Sequence, residues 1–105
     1  MKPNELNKLR YSFQSDGKEI CNNYTKTLML VSRGESGTAR KLFQETDGKL
    51  QALKERQQNY EEHFHPHVAK EQKNSIEFID VLRDSIRQAT YVEGKDCPIR
   101  YHIYA

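Results

Sequence analysis

Between Thr38 and Phe64 the apolar and aromatic residues fall at Ala39, Leu42/Phe43, Leu50, Leu53, Tyr60 and Phe64, with Thr46 and Gln57 filling the gaps in register. Steps that alternate between three and four residues form the seam of a helix laid lengthwise on other helices, in the manner of a coiled coil. The same stretch carries five basic residues (Arg40, Lys41, Lys49, Lys54, Arg56) and five acidic ones (Glu45, Asp47, Glu55, Glu61, Glu62). Its outer face is therefore solvated and close to neutral. The rest of the chain is expected to pack around this segment.

Two weaker stripes flank it. Residues 4–33 read as a first helix, with Asn4 as N-cap, Glu5 in the first turn and an apolar line through Leu6, Leu9, Phe13, Ile20, Tyr24, Leu28 and Val31. Asp16-Gly17 interrupts that line, as Asp47-Gly48 interrupts the central one. Asp-Gly is a turn dipeptide, but both stripes resume in phase, so each helix is expected to run through. Gly17 then marks a close helix–helix approach or a mild kink. Gly34 supplies the left-handed residue expected after a helix C-terminus, within the loop Arg33-Gly34-Glu35-Ser36-Gly37, and Ser36 or Thr38 is placed to cap the next helix.

Pro66 disfavours helical geometry at His65 and lacks an N–H, so the central helix is expected to end near Phe64 and the chain to reverse. A continuous helix kinked at Pro66 is the alternative, since no glycine lies between Gly48 and Gly94 to make a tight turn. The third helix, 67–92, carries its stripe late, at Ile76, Ile79, Leu82, Ile86 and Ala89. Asn74-Ser75-Ile76-Glu77 resembles a capping box and offers a later start. Asp80/Arg83 and Asp84/Arg87 are spaced for local ion pairs. Phe78 and Val81 widen the apolar arc beyond what a three-helix core requires, which makes them candidates for contact with something outside the bundle. After Gly94, Cys97-Pro98 opens a tail in which Ile99, Tyr101 and Ile103 alternate with Arg100, His102 and Tyr104, as in a strand.

Composition bounds the chemistry. At 105 residues the chain is expected to form one domain, with only 35% apolar residues, a lean figure that suits long thin helices. Disorder of the whole chain is disfavoured by a net charge of only +2, by six Tyr and four Phe, and by the periodicity itself. No apolar run approaches a membrane span, and MKPNELNKLR has no apolar core of the kind a secretory signal carries. Cys21 and Cys97 form no metal motif and read as two reduced thiols of a cytoplasmic protein. No nucleophile elbow, HExxH or P-loop is present, so an enzyme is not expected.

Three of the four histidines fall in Glu61-Glu62-His63-Phe64-His65-Pro66-His67. In an extended segment His63, His65 and His67 would project to one side, a donor set suited to zinc or nickel, or a hinge that responds to pH near the unperturbed imidazole value of about 6.5. Arg100, Tyr101, His102 and Tyr104 interleave cations with stacking rings, yet acidic residues are mixed throughout the chain, so nucleic-acid binding is a weaker reading.

The sequence thus points to an all-α antiparallel three-helix bundle over 1–93 (helices 4–33, 38–64 and 67–92) with an extended tail over 94–105. The function expected of it is a non-enzymatic protein-interaction module: an adaptor, assembly chaperone or regulator of a larger factor. It would bury Phe78, Val81, Ile99, Tyr101 and Ile103 against another protein or a second copy of itself in a homodimer. No cofactor is required by this reading. A metal- or pH-responsive sensor at His63, His65 and His67 is the alternative.

Overall fold

The computed structural model describes residues 1–90. They form α1 (Pro3–Ser32), α2 (Ser36–Tyr60), a single 3-10 turn (Glu61–His63) and α3 (Pro66–Ala89). The three helices pack as an up-down-up bundle with principal extents of 53 × 20 × 19 Å. Cross-helix pairs define the directions. Glu19 meets Lys49 and Asp16 meets Arg56, so α2 runs antiparallel to α1; Asp47 meets Arg83 and Lys54 meets Asp80, so α3 runs antiparallel to α2. Helices α1 and α3 are consequently parallel, with Arg10 beside Glu71.

Helix α1 begins at Pro3, not at an Asn4 cap. Lys2 is the N-cap residue and makes no side-chain capping bond; Pro3 takes the first helical position, where its missing N–H costs nothing. Its other end follows the sequence closely. Gly34 has φ +80°, the Glu35 N–H donates to Leu30 O at 2.9 Å, and the Gly34 N–H donates to Val31 O at 3.0 Å. Those two bonds satisfy carbonyls the helix leaves open, and they reverse the chain. Helix α2 then starts at Ser36 with Glu35 as N-cap, and neither Ser36 nor Thr38 serves as a capping residue.

The chain does reverse at Pro66, without a glycine. Helix α2 stops at Tyr60, four residues short of the expected end, and tightens into the 3-10 turn. Phe64 (φ −98°, ψ 152°) and His65 (φ −55°, ψ 140°) are then extended, and Pro66 opens α3. Two non-helical residues after a tightened turn achieve what a left-handed residue would otherwise provide. Asn74-Ser75 lies inside α3 and caps nothing.

Phe13, Ile20, Tyr24, Phe43, Leu50, Leu53, Ile79 and Ile86 form the main core, and Leu30 with Ala39 a smaller one at the Gly34 end. Thr46 and Gln57 are buried as the α2 register predicts. Thr27 and Thr46 hydroxyls donate to Asn23 O and Leu42 O of their own helices, so neither brings an unmet donor into the core. Late in α1 the buried line passes through Thr27 and Leu30, leaving Leu28 and Val31 half-buried. In α3 it extends back through Ala69 and Gln72, across residues 70–75 that look polar in sequence, and ends on Thr90 instead of the exposed Ala89.

One expectation about organisation is reversed. Helix α1, not α2, is the element both others pack against, while α2 and α3 approach each other more sparsely, across a seam that includes ion pairs. Both Asp-Gly steps are helical, as their in-phase stripes require. A Cβ at Gly17 would meet only Ile79 Cδ1, at 3.8 Å, and one at Gly48 would meet nothing within 4 Å. Gly17→Ala and Gly48→Ala should therefore each raise stability by about 0.5–1 kcal/mol through helix propensity, read as a higher urea midpoint. A loss at either position would show that the bare backbone there serves a purpose.

Candidate interaction groove and the polar pin beneath it

The parallel pair α1–α3 leaves a cleft of about 620 Å³ open to solvent. Phe13, Gln14, Gly17 and Cys21 line it from α1, and Phe78 and Ile79 from α3. Its lining is predominantly apolar, with Lys18, Asn22, Asn74 and Ser75 supplying polar groups. The local sequence explains its position. Gly17 gives α1 no side chain at mid-helix, and Asn74-Ser75 gives α3 short polar ones, so both walls recede at the same level. Phe13 and Ile79 are buried beneath it, at 6% and 2% exposure. Cys21 is half-buried, and that burial pushes its thiol pKa up from the ordinary value.

Phe78 stands on the α3 side of this cleft with 65% of its surface exposed, and Val81 is equally exposed one turn further on but outside the cleft lining. Tyr11 and Met29 are also exposed but do not line it. Ile99, Tyr101 and Ile103, the tail residues that complete the proposed surface, lie outside the described residues, as do the rest of the 94–105 tail and the last two residues of the expected third helix.

The three histidines have separate surroundings. His65 is the N-cap of α3, and its Nδ1 accepts the His67 N–H at 3.1 Å. His67 Nε2 lies 3.2 Å from Glu71, one turn along the helix. His63 Nε2 lies 3.9 Å from Glu62, and its ring stands 6.2 Å from that of Tyr60. Among the described residues no three His, Cys, Asp or Glu side chains converge as a metal site would require. A metal held by His63, His65 and His67 would have to break the His65 cap and draw His67 off Glu71.

Sequence reasoning missed a polar cluster that joins all three helices. Tyr24, fully buried on α1, donates its hydroxyl to Asp47 Oδ1 at 2.6 Å. Arg83 of α3 grips the same carboxylate through Nε at 2.7 Å and Nη2 at 2.9 Å. The guanidinium carbon lies 5.1 Å from the centre of the Phe43 ring, and the Tyr24 ring packs against Phe43 at 5.3 Å. Burial and the Asp47 carboxylate hold the Tyr24 phenol protonated far above its ordinary range. The hydrogen bonds that Arg83 donates to the Asp47 carboxylate likewise raise the pKa of the guanidinium, so this ion pair stays charged. Asp80, expected to pair locally with Arg83, instead meets Lys54 of α2 at 2.9 Å.

These elements define a class: a three-helix bundle pinned at mid-height by a Tyr–Asp–Arg cluster, with one open apolar groove between its parallel helices. Comparison with protein-family models, curated proteins and solved structures finds no match for this chain. Among the described residues no helix is long and apolar enough to cross a membrane.

Proposed function

We propose that this protein is a non-enzymatic interaction module that binds another protein, or a second copy of itself, at the α1–α3 groove. The observation that carries this reading is Phe78. A phenylalanine with 65% of its surface exposed beside an open apolar cleft costs solvation free energy until something covers both. Helix-in-groove docking uses such a combination of aromatic anchor and adjoining cleft. Val81 extends the anchor along α3, and Ile99, Tyr101 and Ile103 are proposed to join the contact from the tail.

The charge pattern supports a protein partner over a polyanion. Arg10, Lys49, Lys54, Arg56, Lys73 and Arg83 each lie against a carboxylate of another element, leaving those cations committed within the bundle. Phe78→Asp combined with Tyr101→Asp should abolish partner capture while far-UV circular dichroism keeps the wild-type helical signal. Capture that survives both substitutions would place the interaction surface elsewhere.

A further inference from the structure

The groove carries the shape of its own filler. Phe78 lines the cleft and also projects from it, with 65% of its surface exposed. On the α1 wall at the same height Gly17 has no side chain, and only Ile79 lies within 4 Å of where a Cβ would stand. A projecting ring and a recess that share one face and one height are self-complementary: a second copy related by a twofold axis offers one ring to each recess. The rim charges decide how that axis lies. Lys18 stands on the α1 lip of the cleft. Successive residues of α3 are turned by about 100°, so Ile79, buried toward Gly17, and Glu77, exposed, fall on opposite sides of Phe78. Glu77 therefore stands on the outer flank of α3, away from α1. Among the described residues neither Lys18 nor Glu77 has an ion-pair partner.

We propose that the partner of this groove is a second copy of the chain, bound face to face about a twofold axis parallel to the helices, with each Phe78 seated in the other copy's cleft beside Gly17. This rests on the interaction reading above and names its partner. An axis parallel to the helices lays α1 of one copy on α3 of the other at unchanged height, which brings Lys18 to the flank that carries Glu77. An axis across the helices at the height of the cleft lays α1 on α1 and α3 on α3, so that Lys18 meets Lys18 and Glu77 meets Glu77. Like charges face to face oppose association, whereas the parallel axis makes the unlike pair twice, once at each rim. The α1 wall of the cleft runs only from Phe13 to Asn22, about 14 Å at 1.5 Å per residue. So short a contact gives a weak dimer that forms and separates with concentration.

Sedimentation equilibrium of the untagged 105-residue chain tests this, over loadings from about 5 to about 500 µM. Wild type should show a monomer–dimer equilibrium. Phe78→Asp should weaken it at least tenfold while the far-UV circular dichroism stays unchanged. Lys18→Glu and Glu77→Lys should each weaken the dimer about tenfold, and the two together should restore it to within about threefold of wild type. Within one chain Lys18 and Glu77 stand apart, on the α1 lip and on the far flank of α3, so that rescue reports a contact between copies. Tighter pairing by Lys18→Gln, or single reversals without rescue in the double, would overturn the parallel arrangement. A dimer indifferent to Phe78→Asp would overturn the groove as its seat. A chain monomeric at every loading would overturn self-pairing. If such a monomer still captures another protein through Phe78, the interaction reading stands with a foreign partner; if capture ignores Phe78, that reading falls as well.

Discussion

Asp47→Ala should lower the stability of the bundle by about 3 kcal/mol, on the order of 15 °C in melting temperature. The substitution leaves the Tyr24 hydroxyl buried with no acceptor and the Arg83 guanidinium half-buried with its bidentate partner gone. A lost partner costs the full desolvation of what remains, which exceeds the net worth of the bond itself. The side chains of Arg83 and Asp47 are 24% and 34% exposed, so water recovers part of the loss and the effect falls below that of a fully buried pair. Asp47→Asn keeps an acceptor for Tyr24 and should cost about half as much. Removing every polar member together, as Tyr24→Phe/Asp47→Leu/Arg83→Met, should cost less than Asp47→Ala alone, because no orphaned group remains. Urea unfolding of the four proteins checks the order. A change below about 0.5 kcal/mol for Asp47→Ala would mean the cluster behaves as an ordinary surface pair.

The same cluster should make the protein sensitive to alkali. The folded state holds the Tyr24 proton far above the ordinary tyrosine value of about 10, so above about pH 10 the unfolded chain releases a proton that the folded chain keeps. A group whose pKa is raised by folding contributes stability that is complete below its unfolded value and declines as pH rises past it. Stability should therefore fall above pH 10 with an added slope approaching 1.4 kcal/mol per pH unit from Tyr24 alone. Tyr24→Phe should be less stable at neutral pH yet lack that slope, which separates it from the general loss of lysine charge in the same range. Parallel slopes for the two proteins between pH 9.5 and 11.5 would contradict the assignment.

How much of this was legible in the sequence follows from what each signal encodes. Periodicity reports which face of a helix is buried, and it located three helices, carried two of them through Asp-Gly steps and placed Thr46 and Gln57 in the core. It does not report which helix faces two neighbours. The strong α2 stripe suggested a central element, whereas α1, with its weaker line, is packed on both sides. A straight helix also drifts by about 20° per heptad against a 3.5-residue repeat, which is how burial late in α1 shifts to Thr27 and Leu30. Charge pairing was read locally and resolved across helices: Asp47 looked like half of a turn dipeptide, and its partner lies 36 residues on.

The candidate site was half visible. Phe78 and Val81 stood out because they exceed what a core stripe needs. The α1 wall of the groove did not, since Gly17 suggested close approach, and a cleft arises from side chains that are short on two helices at one level. The pairing of Gly17 with Asn74-Ser75 was the available signal, but it becomes readable only once α1 and α3 are known to be parallel and in register. The surroundings of the histidines were hidden for a related reason. Spacing of two converges only in extended chain, and here Pro66 places His67 inside a helix whose cap is His65.

The most direct test of the account is site-specific photo-crosslinking in cells that make the protein, with benzoylphenylalanine in place of Phe78 or, as the matched reference, of Tyr11. Tyr11 is as exposed, at 70% against 65%, but does not line the groove. The account predicts that adducts concentrate at position 78 and that mass spectrometry assigns them to a defined partner or a second copy of the chain. Equal, diffuse labelling from the two positions would contradict it, because an interaction groove must be covered more often than a solitary exposed ring.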